Sequence, residues 1–470
     1  MRRIGMYMAV ALAASGTLCA AAAQDGVDYG SALREARQES GALKGADLDM
    51  QAKTLQASAL QRIAGPDLRL SGFMGRVSTS VNLDTSAIAN AANPILDNLP
   101  PIPGINLPDI PNSIGADRIV NLRSLGLSSV WPLYTGGRLQ AVQTIAAGRA
   151  AEAGAARLTS EEDIANQLAQ RYFTVQLARE ALRLRLEAVQ VFGEHQSMAL
   201  KMERTGLIAK VERLKADVAM DNARREADKA RSDLEIANVA LSRLLGRKEP
   251  VRPATPLFVH AEPVGSLASF IDAAMNANPA WKQIDSKREQ AAGLLKLQGS
   301  QFSPTVVAVA NYNLNRGGGS YARANWLVGM SVSVPLVDRI DKGKMLQAAR
   351  LEQERVEVMA SQASRDIPTL AESQWRTMEN ARLRYLSMGS SIELAQETLR
   401  LARVGFKNGQ ATSSDVADAS LNYTKTRLEQ AQAACDYDLA LAKLLSTAGQ
   451  SERLAELARS ARSVIDLTKD

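Results

Sequence analysis

Apolar residues recur along this chain with two different periods. Ile164, Leu168, Tyr172, Val175, Ala178, Leu182, Leu186 and Val189 step by 3 or 4, which predicts one stripe on a helix. No Gly or Pro falls between Ala155 and Phe192, or between Leu207 and Leu245. The predicted long helix from Gly137 to Glu203 has 67 residues, about 100 Å at 1.5 Å per residue, so it must lie beside other helices. Cys435 falls on a similar stripe with Leu428, Ala431, Leu439 and Ala442, where a small apolar residue suits a packing seam. Pro368, inside the second long helical segment, is expected to kink or break it.

Elsewhere the period is two. Trp326, Val328, Met330, Val332, Val334 and Leu336 alternate with mostly small or polar residues, as do Val306, Ala308, Ala310, Tyr312 and Leu314. Between them lies the Gly-rich turn "NRGGGSYAR". In the first half, Phe73, Gly75, Val77, Thr79, Val81 and Leu83 form one face and Arg76, Ser78, Ser80 and Asn82 the other. Two-faced strands of this kind suit a membrane barrel with a wet lumen. The same period fits a soluble antiparallel sheet with one buried face.

The chain repeats itself. Pro132 in "WPLY" and Pro335 in "VPLV" are 203 positions apart, and so are Gly206 and Gly409 in the two predicted helical turns. Each half reads as a shorter helix (about 29–64 and 265–300), a strand hairpin, a long helix, a tight turn and another helix. The predicted organisation is a first repeat at 24–246, with strands near 67–83 and 117–134 and helices 137–203 and 207–245. A linker at 247–263 leads to a second repeat at 264–446, with strands near 304–315 and 325–336 and helices 342–405 and 412–446; a terminal segment 447–470 follows. The first hairpin is longer, and its excess includes six prolines between Pro94 and Pro111, read as a long irregular surface loop.

Composition narrows the class. Aromatics are only 4% of a chain that is 46% hydrophobic, which favours long packed helices over a globular core. The net charge of +6 is mild and no polybasic block is present, so no nucleic-acid partner is expected. Met1-Arg2-Arg3, an apolar run and Ala21-Ala22-Ala23 predict a signal peptide over 1–23. Cys19 is not read as a lipid-attachment site, because bulky Leu18 precedes it. No later run of about 18 apolar residues predicts a membrane-spanning helix. Catalysis is not expected: the chain has two histidines, His195 and His260, and no zinc-ligand spacing, phosphate loop or nucleophile elbow. No catalytic residue, metal site or cofactor is assigned.

Five segments carry a resemblance: "WPLYTGGRLQAV" (131–142), "VPLVDRIDKGK" (334–344), "ANPAW" (277–281), "TGLIAKVERLKA" (205–216) and "NGQATSSDVADA" (408–419). In this order, behind a signal peptide, they resemble the TolC family of outer-membrane channels over nearly all of the mature chain. The resemblance implies a mainly α fold with a β-barrel, built from a duplicated helix–hairpin–long helix–helix unit. It implies a homotrimer in outer-membrane lipid, in which four strands per chain close a twelve-stranded barrel continued by a periplasmic α-helical coiled-coil barrel. The linker and terminal segment would form an equatorial belt. The implied partners are a periplasmic membrane-fusion adaptor and an inner-membrane pump of RND, ABC or MFS type, in drug efflux or type I secretion.

The resemblance also implies roles for particular residues. Asp415 and Asp418, one helical turn apart, match an acidic ring at the periplasmic entrance. Glu212 and Phe406 match an entrance constriction. Glu212 lacks the opposing Arg common in the family, whose position is Ala411 here. Gly206, Leu207 and Gly409 match adaptor-docking tips. Without the resemblance, Asp415 and Asp418 read as an ordinary solvated helix face or as an N-cap at Asp415, and the glycines read equally well as turn residues. A periplasmic coiled-coil adaptor or scaffold without a pore is the alternative function; it leaves the paired hairpins unexplained.

Overall fold

The computed structural model describes residues 26–97, 108–314, 325–337, 339–461 and 463–464. The signal-peptide expectation lies outside the described residues, as do the Gly-rich turn and much of the Pro-rich segment. In chain order the elements are α1 (Tyr29–Glu39), α2 (Gly41–Leu60), β1 (Asp67–Asp84), α3 (Ser86–Asp97), β2 (Ser113–Tyr134), α4 (Arg138–Arg204), α5 (Lys210–Leu244), β3 (Phe258–Val259), α6 (Leu267–Ala277), α7 (Pro279–Gly299), β4 (Thr305–Asn313), β5 (Trp326–Ser333), α8 (Lys342–Lys407), α9 (Ser413–Thr447), α10 (Arg453–Ser460) and β6 (Ser463–Val464). No described helix is long and apolar enough to cross a membrane.

The chain divides into two compact units. One holds the residues up to Lys53, Arg149–Arg288 and those from Arg355 onward; the other holds Thr54–Gly148 and Glu289–Glu354.

The second unit contains an antiparallel sheet in the order β1-β2-β4-β5. β1 pairs with β2 from Asp67↔Val130 to Asp84↔Ser113, whereas β4 reaches β2 only between Gly126 and Tyr134. A bulge lies between Pro132 and Tyr134, where proline has no N–H to give the ladder. Following the register across the four strands brings Leu68, Leu70, Leu127, Trp131, Tyr134, Val306, Ala308, Ala310, Tyr312, Trp326, Val328, Met330 and Val332 onto one face. Asp67, Arg69, Ser71, Ser128, Asn311, Asn313 and Ser331 lie on the other, together with Val130, Val307, Val309 and Leu327. In this part of β1 the apolar residues are therefore at even positions, opposite in phase to the Phe73–Leu83 alternation read from sequence. That alternation belongs to the stretch of hairpin that pairs with β2 alone. Among the described residues the outer edges of β1 and β5 pair with nothing.

Three further expectations are corrected. The opening helices of both halves are broken: α1 stops at Ser40, whose backbone is extended, and α6 at Asn278, ahead of Pro279. The Ser40 hydroxyl caps α2 through Leu43 N at 3.2 Å and the Asn278 amide oxygen accepts from Ala280 N at 2.9 Å, so each break starts a new helix. Pro94 is helical, inside α3, rather than part of an irregular loop. Pro368 does not end α8, because buried Ile367 and Ala371 anchor the helix on both sides of it.

In the first unit, α5 packs on α9. Its buried face runs Ala216, Met220, Ala223, Ala227, Ala230, Ala237 and Leu241, steps of 4, 3 or 7 that keep a 3.5-residue period. On α4 the stripe drifts: past Ala178 the buried positions become Glu180, Leu184, Ala188 and Phe192, the last two packed with Met220 and Ala223 of α5, and Leu186 is left 44% exposed. Several of the aromatics gather in the core of this unit. Tyr29, Tyr172, Phe173 and Phe258 lie with ring centroids 5.5–6.0 Å apart, and Tyr172 Oη donates to Val27 O at 2.7 Å while accepting from Thr255 N at 2.8 Å. β3 and β6 pair beside this cluster, which also takes in Cys435; burial pushes its thiol up to about 12.

Four glycines end long helices in the left-handed region: Gly206 (φ 78°), Gly246 (φ 68°), Gly409 (φ 73°) and Gly449 (φ 65°). Both pairs, 206/409 and 246/449, are 203 positions apart, so the duplication extends to a second set of turns. At Gly409 an added Cβ meets nothing, whereas at Gly449 it would lie 2.8 Å from Ala277 O. Gly409→Ala should therefore cost about 1 kcal/mol, the conformational penalty alone. Gly449→Ala should cost distinctly more. Chemical denaturation of the two variants measures the difference, and equal losses would contradict it.

Candidate functional site at the helical tips

Two helical hairpins, α4–α5 and α8–α9, turn at Gly206 and Gly409. Gly206 N donates to Glu203 O (2.9 Å) and Leu207 N to Met202 O (2.8 Å); Gly409 N donates to Phe406 O (3.0 Å) and Gln410 N to Gly405 O (2.7 Å). These are two copies of one Schellman cap, and each needs a residue with positive φ. Leu207, beside the first glycine, is 71% exposed.

The turns close over a small core of Ala199, Met202, Ala216, Phe406 and Val416. Phe406 is 2% exposed, so within one chain its ring supports the turns from beneath instead of presenting a free face. His195 lies against it, with ring centroids 4.4 Å apart in an edge-on arrangement.

Glu212 joins the hairpins. It is the third residue of α5, and its carboxylate accepts from Ser413 N at 2.8 Å, the first residue of α9, and from Lys215 Nζ at 2.9 Å. A carboxylate at a helix N-terminus is favoured by the unpaired N–H groups there. The Lys215 bond first, and then the Ser413 N–H, hold the Glu212 carboxyl below its ordinary value. Ala411 is partly buried in the small core, and its methyl lies 3.1 Å from where a Cβ on Gly405 would be, so it offers Glu212 no cation. Lys215 and the α9 N-terminus take that part.

Asp415 is 203 positions after Glu212 and also third in its helix, but it acts at home. Thr412 N donates to Asp415 Oδ2 at 2.7 Å while Asp415 N donates to Thr412 Oγ1 at 3.2 Å, a reciprocal capping box. The Thr412 N–H holds the Asp415 carboxyl low. Asp418 is exposed one turn further along, beside a groove of about 400 Å³ lined by Val211, Leu214, Lys215, Val218 and Leu421. The structure thus gathers Glu212, Asp415, Asp418, Phe406, Gly206, Leu207 and Gly409 at one end of the first unit. It adds Ser413, Lys215 and His195, which sequence reasoning missed. His195 was legible in part, since it continues the α4 stripe between Phe192 and Ala199; the Glu212–Ser413 bond spans 201 positions and left no local signal.

The fold is that of an outer-membrane channel. Over 90% of its length the chain matches the MtrE outer membrane channel of Neisseria gonorrhoeae, with TM-score 0.71, 18% identity and 89% of that chain covered. It matches the outer membrane protein VceC of Vibrio cholerae likewise, with TM-score 0.70, 16% identity and 96% of that chain covered. Residues 32–247 match the family model of the outer membrane efflux proteins. It is 25% identical to protein CyaE of Bordetella pertussis over 261 residues, 53% of this chain and 54% of CyaE. It is 23% identical to the cobalt-zinc-cadmium resistance protein CzcC of Cupriavidus metallidurans over 300 residues, 63% of this chain and 70% of CzcC. The chain spans about half the length of CyaE.

Removing the Glu212 carboxylate leaves the Ser413 N–H without its acceptor. Glu212→Ala should loosen the α9 N-terminus by about 1 kcal/mol, read as faster amide exchange at residues 413–416. Because the Glu212 carboxyl titrates below its ordinary 4.5, its contribution is complete above that pH and is lost as pH falls through the lowered value. Glu212→Gln should remove that acid-dependent part; an unchanged exchange profile below pH 4.5 would argue against the bond.

Proposed function

We propose that this chain is the outer-membrane exit duct of a tripartite efflux pump or type I secretion system, passing cargo passively outward, and not an enzyme. The observation that carries this reading is the sheet. One face is apolar across the four strands save for Ser129, and it is bounded by aromatic pairs, Trp131 and Tyr134 towards one end and Tyr312 and Trp326 towards the other. Val306 and Tyr312 lie one residue inside the two ends of β4 and six positions apart, about 20 Å of strand. Aromatic girdles flanking an apolar band of this order, with polar residues on the reverse face, are what a barrel in lipid requires.

Two unpaired edges in lipid are untenable, so the sheet must close on other copies. Three copies give twelve strands, in keeping with the family, and the helices then form the periplasmic part. The alternative, a scaffold without a pore, gives no reason for an exposed apolar face on the sheet.

At the tips, three copies bring Asp415 and Asp418 near one axis as an acidic ring, which concentrates cations. Glu212 serves the closed entrance through its bond to α9, with Phe406 bracing it from below. Gly206, Leu207 and Gly409 present the surface for a periplasmic adaptor, which couples the duct to an inner-membrane pump. The linker and terminal segment, joined by β3 and β6, serve as the equatorial belt.

Two experiments test this. Val328→Arg, on the apolar face, should destabilise the assembled protein by about 2–3 kcal/mol. Asn311→Arg, on the polar face, should be tolerated; equal effects in thermal melts of the detergent-extracted protein would argue for a soluble sheet. In planar lipid bilayers the protein should give small cation-selective steps blocked by a trivalent cation from one side. Asp415→Ala with Asp418→Ala should relieve the block. Conductance that is never blocked would discard the ring, and no conductance from folded protein would favour the scaffold.

A further inference from the structure

His195 has features that no cap or seam requires. It lies on α4 about three turns before Gly206, only 6% exposed, edge-on to Phe406, and its Nε2 is buried without a hydrogen-bond partner. Beside it is a cavity of about 290 Å³ lined by Glu194, Met198, Arg403, Val404, Phe406 and Lys407. The charges around it come from three helices. Glu194 of α4 is spent on an ion pair with Arg403 of α8. Lys407 of α8 lines the same cavity, and Glu212 of α5 acts from the tip. From α9 the small core receives Val416, which carries no charge.

We propose that His195 is a proton-operated latch of the tip: neutral, it packs on Phe406 and keeps the turns closed over their core; protonated, it leaves that packing and frees the α8–α9 turn. The latch rests on reading the tip as the duct entrance. An imidazolium here would be desolvated beside two cations, with its buried nitrogen still unpaired. Burial first, and Arg403 second, hold the imidazole below its ordinary 6.5, against the weaker pull of Glu212. The opened tip takes up the proton more readily than the closed one, so acidification below that ordinary value favours opening, and the closed form is fully stable above it. A proton also draws Glu212 towards His195 and away from Ser413, so one event acts on both fastenings.

Hydrogen exchange of the full-length, detergent-extracted protein tests this at about pH 7.5 and about pH 5.5, after correction for intrinsic rates. Protection over residues 195–216 and 400–418 should fall several-fold on acidification in the wild type. It should hold in His195→Phe, which fills the space without a titrating group, and in His195→Gln should the first variant not assemble. An equal fall in the variants, or none in the wild type, overturns the latch. Arg403→Gln, which brings the closed-form imidazole nearer its ordinary value, should weaken the acid-driven loss of protection or move it to lower pH; an unchanged profile also counts against the latch. In planar bilayers the acid-driven rise in open time should vanish in His195→Phe. If exchange behaves as expected but no current flows, the latch stands and the duct reading falls.

Discussion

Among the described residues, the outer edges of β1 and β5 pair with no other strand. In water such edges are a liability; in hydrocarbon they are prohibited, because nothing else there can accept or donate. Most of the architecture is consistent with this single constraint. Four strands are too few to close alone, so the chain needs symmetry. The apolar face set by the register needs lipid, and the polar face needs water. A sheet that curls around water then leaves little interior for bulky side chains.

The helices meet a similar demand differently. Alanines repeating every 3.5 residues on α5 let α9 approach closely, so a long seam is built from small contacts rather than a thick core. Buried aromatic bulk in the first unit is thickest where α1, α4, β3 and α9 converge around Tyr29, Phe173 and Tyr437. Away from that cluster, order at the tip depends on a few directional bonds: two glycine caps, one capping box and one carboxylate reaching between hairpins. Such an end can be rearranged without disturbing the middle, which suits the entrance proposed for it.

Much of this was legible in the sequence, for physical reasons that differ by element. Long helices declare themselves through period and the absence of Gly and Pro, and the duplication through prolines and glycines at fixed offset, because those residues are tied to backbone geometry. The sheet's apolar face was half legible. Alternation marked the strands, but only the register revealed that the face seen at Phe73–Leu83 is not the one continued by Leu68, Leu70 and Val328. Ser40 and Asn278 were missed as helix breaks because the apolar pattern continues past them. Phe406 was legible as aromatic but not as buried, since its neighbours His195 and Ala199 lie some two hundred positions away. Pro368 shows the converse: a local signal overruled by packing on both sides.

The exchange between Glu212 and Asp415 has a mechanical consequence. The two hairpins of one chain turn through the same glycine cap, so the ring of three copies proposed above would present six similar tips. Yet the shorter Asp415 satisfies its own helix, with Thr412 as helper, while the longer Glu212 has Ala209 before its helix and reaches across to its neighbour. Only every second junction in the ring is thus tied by this bond. A mouth of that kind has threefold rather than sixfold mechanics, with three hinged leaves, each of which moves as a fastened pair.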